Sequence, residues 1–116
     1  MNSLAFAIYD KCPVTQGHTL VIPKRHYSDF FESKKEEIDA ILSLLWEAKG
    51  FFDTRHMPDG YNVGINCGTP AGQTILHFHV HLIPRYKGDI KDPRGGVRGG
   101  KVIPVKQKYP PLPIPV

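Results

Sequence analysis

The sequence is poor in cysteine and contains no long apolar run. Its two cysteines, Cys12 and Cys67, are too few for a disulfide-stabilised scaffold or a four-cysteine zinc site. No stretch approaches the roughly 18 apolar residues that a membrane-spanning helix requires. The first nine residues also lack the basic and apolar regions of a signal peptide. We therefore expect a cytoplasmic protein with no membrane partner.

Acidic residues become scarce toward the C-terminus. Residues 1–84 carry nine acidic and seven basic side chains, whereas residues 85–116 carry two acidic and eight basic ones, a net charge of +6. The 88–116 segment also holds six of the eleven prolines, which predicts an irregular basic tail behind a core of residues 1–87. Because the chain has only 116 residues, we expect core and tail to form one domain.

Four apolar segments are predicted to be strands. Residues 4–9 and 18–22 are short apolar runs, and the stretch between them contains Pro and Gly, as a long hairpin loop does. Residues 61–66 and 74–83 are two further candidates, separated by a glycine-rich stretch. Strands followed by one helix and then more strands predict an α+β fold with an antiparallel sheet.

One long helix is predicted between Ser33 and Pro58. Ser33 and Glu36 match a capping box in which Ser33 is the N-cap. The apolar residues that follow recur on one helical face: Ile38, Ile41, Leu42, Leu45, Ala48 and Phe52. We expect this face to pack against the sheet.

The segment from Leu76 to Pro84 alternates histidine with apolar residues. In a strand, His77, His79 and His81 would share one face, and the apolar residues Leu76, Phe78, Val80 and Leu82 would share the other. The apolar face is suited to packing against the helix. A face of three imidazoles cannot form a second core, so it predicts the floor of a polar site.

Two kinds of chemistry compete for these histidines. His77 and His79 could chelate zinc with a third ligand from elsewhere, or neutral imidazoles could act as nucleophile and acid near pH 7. Residues 61–85 contain no Asp or Glu to complete a metal site. They do contain hydrogen-bond donors and exposed backbone, at Asn66, Gly68, Gly72, Gln73 and Thr74. Donors without carboxylates favour an anion, with phosphate foremost.

The segment His77–Ile83 resembles the His-φ-His-φ-His-φ-φ signature of the histidine triad (HIT) family of nucleotide hydrolases and transferases. Residues 17–26 are similar to the family's second-strand motif, and residues 62–66 with 71–74 to its phosphate-loop region. The 88–109 segment is similar to the C-terminus of a bacterial, diadenosine polyphosphate hydrolase-like branch. The resemblance implies one HIT domain over 1–116, with an antiparallel sheet of about five strands and one long helix packed on it.

Roles for individual residues follow from the resemblance. It implies that His79 attacks the α-phosphorus to form a nucleotidyl-histidine that water then hydrolyses. His81 would bond a phosphate oxygen or assist the leaving group, and His77 and His18 would support the nucleophile. The implied substrate-binding residues are Asp10 for ribose, Asn66, Gly72, Gln73 and Thr74 for phosphate, and Phe6, Ile8 and Ile22 for the base.

The resemblance also implies a homodimer. Structural zinc is not expected, because the Cys-x-x-Cys pair of some members is absent. No tightly bound cofactor is expected, and Mg²⁺ would enter only with the polyphosphate substrate. Two alternatives to the dinucleoside polyphosphate hydrolase stay open: a purine nucleoside phosphoramidase, and a catalytically slow module that binds or senses nucleotides.

The charge of the tail allows two interpretations. Arg85, Arg94 and Arg98 could meet the outer phosphates of a polyphosphate if the tail folds back over the site. Alternatively, the tail is a solvated segment that aids solubility. Nucleic acid is not an expected partner, because few aromatic residues accompany the basic ones.

Overall fold

A computed structural model describes residues 1–92 of the chain. Its sheet contains β1 (Ala5–Tyr9), β2 (Thr19–Pro23), β3 (Gly60–Gly64) and β4 (Val80–Arg85), in the order β1-β2-β4-β3. Every neighbouring pair of strands is antiparallel. The helix α1 (Lys35–Arg55) lies on one face of the sheet. The predicted α+β fold is confirmed, with four strands in the described residues where about five were expected.

The core lies between α1 and one face of the sheet. The strands contribute Ala5, Val21, Val80 and Leu82, and the helix contributes Ile41, Leu44, Leu45, Ala48 and Phe52. Phe78, which precedes β4, also belongs to this core. The predicted stripe is wrong at Leu42, which is 44% exposed, and it omits Leu44, which is 1% exposed. Ile38, at the start of the stripe, is half-buried. Leu44 lies three residues after Ile41 and four before Ala48, which places it on the buried face.

The helix begins one residue later than the capping box predicted. Lys34 is the N-cap, and the Glu37 carboxylate, rather than that of Glu36, accepts the Lys34 N–H at 2.8 Å. Ser33 does not cap the helix, because its hydroxyl donates to the Tyr27 hydroxyl at 2.9 Å. The Arg25 guanidinium also binds Glu37, at 2.9 and 2.8 Å, and holds the pKa of that carboxyl below its usual range. The segment between β2 and α1, residues 24–34, is called the connector below.

The last strand is shorter than predicted. It begins at Val80 rather than at residue 74, and its pairing with β2 ends where Val80 meets Val21. Residues 74–79 instead lie along the connector, where the Phe78 N–H donates to the Tyr27 carbonyl at 2.7 Å. Leu76 is 54% exposed and does not share the buried face of Phe78.

Residues 10–18, called the first loop, join β1 to β2 and cover the end of β4. The Thr15 hydroxyl donates to the Pro84 carbonyl. Gly17 adopts a φ of +93°, and a Cβ placed on it would lie 3.0 Å from Pro84 Cγ and 3.4 Å from Phe52. Only glycine combines this backbone conformation with this close approach.

Several predictions fall on residues 93–116, which lie outside the described part of the chain. They include the basic tail beyond Asp92, its similarity to a bacterial branch, and the phosphate roles of Arg94 and Arg98. Arg85 lies within the described residues. Its guanidinium donates hydrogen bonds to the Asp89 carboxylate at 2.9 and 2.8 Å and to the Asn62 amide oxygen at 3.0 Å. Within residues 1–92, no helix is both long and apolar enough to cross a bilayer.

We predict that Gly17→Ala lowers the free energy of unfolding by about 2 kcal/mol, because the new methyl group meets a rigid proline ring in a positive-φ conformation. Gly50→Ala is the matched control. Gly50 lies on the exposed face of α1 with no atom within 4 Å of an added Cβ, so this change should stabilise the protein by about 0.5–1 kcal/mol. Urea unfolding of both variants measures the difference, and equal stabilities would contradict the packing described for the first loop.

Candidate active site

A pocket of about 380 Å³ opens on the sheet face opposite α1. This volume lies within the range of small-molecule sites. Twelve residues from the strands, the first loop and the segment before β4 line it: Ile8, Tyr9, Asp10, Lys11, Cys12, Leu20, Asn66, Gly72, Thr74, Ile75, His79 and His81. Seven of these were predicted site residues.

One wall of the pocket is apolar. Ile8 and Leu20 are cross-strand partners of β1 and β2, and they project to the pocket side. Phe6 and Ile22 form the adjacent cross-strand pair, so they lie on the same sheet face but outside the pocket lining. Of the three residues predicted to form the base slot, Ile8 alone reaches the pocket, where Leu20 accompanies it.

Residues 66–74, called the glycine loop, form another wall with Asn66, Gly72 and Thr74. Gly72 has a φ of +96°, and an added Cβ would lie 3.8 Å from the Asn66 amide nitrogen. That distance is an ordinary van der Waals contact, so glycine is favoured at this position by the backbone conformation and not by a lack of space.

Gln73 does not face the pocket with the other predicted phosphate ligands. Its amide oxygen accepts the Gly68 N–H at 2.7 Å, and its amide nitrogen donates to the Ser28 and Ile75 carbonyls. Both amide N–H groups are therefore used within the protein, and in this conformation none remains for a phosphate. Gln73 instead ties the glycine loop to the connector.

His79 lines the pocket with a defined tautomer. Its Nδ1 lies 2.8 Å from the His77 carbonyl oxygen. A carbonyl can only accept, so Nδ1 carries the proton and Nε2 of the neutral ring carries the lone pair. The protein backbone thereby makes Nε2 the basic nitrogen of His79.

His18 and His81 form a buried chain of hydrogen bonds. This chain gives His81 the opposite tautomer to that of His79. The Val14 N–H donates to His18 Nδ1 at 3.0 Å, so neutral His18 carries its proton on Nε2. That proton faces His81 Nδ1 at 2.9 Å. His81 Nδ1 is consequently an acceptor, and the remaining proton of neutral His81 is on Nε2. His81 lines the pocket as a hydrogen-bond donor, whereas His79 lines it as a base.

The Asp10 carboxylate lies beside this chain. One oxygen lies 3.3 Å from His18 Nε2 and 4.0 Å from His81 Nδ1, and the other accepts the Cys12 N–H at 2.8 Å. Asp10 thus supplies negative charge next to two imidazoles and also lines the pocket. The ribose-binding role expected of Asp10 remains a prediction.

Among the described residues, Asp10, His18 and His81 form a cluster of three potential metal ligands, with atoms within 4.8 Å of one another. The Val14 N–H keeps a proton on His18 Nε2, which is the atom that would have to bind the metal. Ligation would also break the His18–His81 hydrogen bond. The geometry therefore favours a hydrogen-bonded chain over a metal centre.

The prediction that His77, His79 and His81 share one face is wrong for His77. Its side chain lies outside the pocket, with Nε2 2.9 Å from the Pro23 carbonyl and Nδ1 2.9 Å from His26 Nδ1. The reason is that residues 74–79 precede β4 and follow the connector rather than β2. The predicted zinc alternative at His77 and His79 is not supported, because Nδ1 of His79 and both ring nitrogens of His77 hydrogen-bond within the protein.

Several residues of the site were not predicted from the sequence. Leu20 could have been found from strand alternation, since it lies midway between His18 and Ile22, two predicted site residues. Val14 contributes only its backbone N–H. Every residue except proline has this group, so the residue type could not have indicated the role of Val14. No sequence signal indicates that His26 meets His77, 51 residues away.

Residues 1–88 match the family model of the HIT domain. The chain is 40% identical over 86 residues to an uncharacterized 16.1 kDa HIT-like protein of Mycoplasma pneumoniae, an alignment covering 74% of this chain and 60% of that protein. It is 33% identical over 104 residues to AP-4-A phosphorylase of Mycobacterium tuberculosis, covering 89% of this chain and 53% of the phosphorylase.

The fold comparison agrees with the sequence comparison. A HIT family protein from Bacillus anthracis superposes with a TM-score of 0.74 at 40% identity, over 77% of this chain and 63% of that one. The chain spans between 60% and 64% of the length of four HIT-like relatives. With the family model covering residues 1–88, these similarities show that the chain belongs to the HIT domain family.

Proposed function

We propose that this protein is a nucleotide hydrolase that cleaves dinucleoside polyphosphates, or related nucleotide conjugates, at the α-phosphate through a covalent nucleotidyl-His79. One observation carries the proposal: the backbone assigns opposite tautomers to His79 and His81 in the same pocket. A bare ring nitrogen supplies the nucleophile for attack on the α-phosphorus, and a ring N–H supplies a donor to the charge that develops on the phosphate oxygens. The similarity to AP-4-A phosphorylase supports this substrate class.

The first step transfers the nucleotidyl group to the protein. The Nε2 lone pair of His79 forms a bond to the α-phosphorus while the bond from phosphorus to the leaving oxygen breaks, and the polyphosphate departs with that electron pair. The Nδ1 proton stays on the ring, held by the His77 carbonyl, so the intermediate is a cationic phosphoryl-imidazolium. His81 Nε2–H donates a hydrogen bond to the charge that develops on phosphate oxygen.

The second step regenerates His79. A water oxygen forms a bond to the α-phosphorus, and the nitrogen–phosphorus bond breaks with its electron pair returning to Nε2. The water proton leaves to solvent, and the nucleoside monophosphate is released. Asn66 and Thr74, which line the pocket, are the proposed phosphate-binding residues, together with the Gly72 backbone.

The His18–His81 chain favours anhydride substrates over phosphoramidates. Protonating His81 at Nδ1 would place two protons in the 2.9 Å gap to His18, so His81 serves as a donor of hydrogen bonds and not as a source of protons. A polyphosphate leaves without protonation, because its terminal pKa is about 6. The nitrogen of a phosphoramidate must gain a proton as the phosphorus–nitrogen bond breaks, because it would otherwise leave as a strongly basic amide anion.

We predict that His79→Asn lowers turnover of diadenosine tetraphosphate by about a thousandfold or more. The Asn amide nitrogen can replace Nδ1 on the His77 carbonyl, so the fold should be retained while the nucleophile is lost. Rapid-quench detection of a nucleotidyl-protein burst, present in the wild type and absent in the variant, is the measurement. Retention of more than about a tenth of the wild-type rate would overturn the role of His79.

We predict a kcat/KM at least about tenfold higher for diadenosine tetraphosphate than for adenosine phosphoramidate, because only the second substrate needs a protonated leaving group. Assays with added Mg²⁺ and with a chelator test whether the cation enters with the polyphosphate. Assays with inorganic phosphate test whether phosphate replaces water as acceptor, which would yield a nucleoside diphosphate. A higher kcat/KM for adenosine phosphoramidate would favour the purine nucleoside phosphoramidase. Slow turnover of both substrates would favour the module that binds or senses nucleotides.

We also propose a homodimer that forms at the open edge of β3. Trp46 on α1 is 74% exposed and Val63 on the helix side of β3 is 58% exposed. Tyr61 of β3 donates to Asp53 of α1 at 2.7 Å, which places this flank of the helix beside the strand edge. In the described residues β3 has a hydrogen-bonded neighbour on one side only. A second copy would cover the apolar side chains and pair the strand.

Light scattering tests this assembly. We predict a mass of about 26 kDa for the wild type, twice the 13.0 kDa of one chain. Trp46→Glu should shift the mass toward the monomer. Phe31→Glu, at a comparably exposed aromatic residue of the connector, should leave it unchanged. A wild-type mass of 13.0 kDa at micromolar concentration would contradict the proposal.

A further inference from the structure

His26 and His77 form a pair of imidazoles outside the active-site pocket. Their Nδ1 atoms are 2.9 Å apart, and their ring centroids lie 4.8 Å apart at an angle of 62°. His26 belongs to the connector, and His77 precedes the nucleophile by two residues. The mechanism proposed above uses neither side chain.

The hydrogen bonds of this pair have one direction when both rings are neutral. Nε2 of His77 faces the Pro23 carbonyl at 2.9 Å, so it carries the proton of the ring. His77 Nδ1 is then an acceptor, and His26 Nδ1 must donate to it. His26 therefore completes the fixation of the His77 ring, which is held at both of its nitrogens.

The peptide group between His77 and Phe78 connects this pair to the reaction. Its N–H donates to the Tyr27 carbonyl at 2.7 Å, and its carbonyl accepts the His79 Nδ1–H at 2.8 Å. These two hydrogen bonds belong to one rigid plane, so any rotation of that plane moves the oxygen that orients His79. The fixed side chain of His77 lies at one end of this plane.

The connector holds His26 in place from both sides. Arg25 binds Glu37 and the Glu32 carbonyl, and its guanidinium lies 4.3 Å from the centre of the Tyr27 ring. Tyr27 is buried and stacks on Phe78 with ring centroids 5.6 Å apart. His26, although exposed, is thus presented to His77 by two anchored neighbours.

We propose that His26 is a positioning residue for the nucleophile, acting through the His77 side chain and the His77 carbonyl on the Nδ1–H of His79. The proposal rests on the function proposed for His79. Losing the His26 hydrogen bond would leave the His77 ring held only through Nε2 and would loosen the orientation of His79, while the pocket walls stay intact. The chemical step should slow without a matching loss of substrate binding.

The test compares His26→Leu with His26→Asn. Leu removes the donor, whereas the Asn amide nitrogen occupies nearly the place of Nδ1 and restores it. We expect His26→Leu to lower kcat and the burst rate about three- to tenfold, the effect of one exposed hydrogen bond, with KM changed less than about twofold. His26→Asn should recover most of the loss. His56→Leu is the control, because His56 lies at the end of α1 and stacks on Phe52.

A second measurement does not depend on turnover. In nitrogen-edited NMR spectra, the Nδ1–H of His79 should be protected from solvent exchange, and His26→Leu should accelerate its exchange about tenfold or more while His26→Asn does not. Unchanged exchange in His26→Leu, no rescue by His26→Asn, or no protected His79 proton in the wild type would overturn the proposal. If no nucleotide is turned over, the proposed function fails, and the exchange of this proton still decides the role of His26.

Discussion

The hydrogen bond from the Val14 backbone N–H to Nδ1 of His18 is the interaction on which the site depends. It places the proton of His18 on Nε2, and that proton in turn determines which nitrogen of His81 accepts and which donates. Without it, the tautomers of His18 and His81, and with them the donor in the pocket, would be less well defined. Because the His18 and His81 side chains are buried, solvent does not compete for the proton that lies between them.

Backbone groups, rather than acidic side chains, assign the chemistry of the histidines. An N–H can only donate and a carbonyl can only accept, so each selects one tautomer of the ring that it meets. The carbonyl of His77 leaves a lone pair on His79, whereas the N–H of Val14 leaves an N–H on His81. Two identical side chains, two residues apart, thereby take opposite roles. The Asp10 carboxylate, 3.3 Å from His18 Nε2, can only accept and therefore favours the same tautomer of His18 as the Val14 N–H does.

Much of the fold could be predicted because its signals are local. The periodic apolar residues of α1 and the short apolar runs of β1 and β2 each appear within one segment of the sequence. The start of β4 could not be predicted in this way, since residues 74–79 alternate as a strand does but follow the connector instead of β2. Leu76 and His77 were misplaced for that reason. The family resemblance implied that Gln73 is a phosphate ligand, whereas its contacts to Gly68 and Ser28 exist only in the folded chain.

Residue types and their spacing were enough to identify the groups that can carry the chemistry: three histidines at alternate positions, a glycine loop with donors, and an acidic residue before the second strand. Residue periodicity was likewise enough to predict the α+β architecture. Which histidines enter the pocket, and which protons they hold, depended on the folded chain. The physical reason is that an imidazole has two equivalent choices of tautomer, and the choice is made by partners such as His18 for His81, 63 residues apart, which only the fold brings within 3 Å.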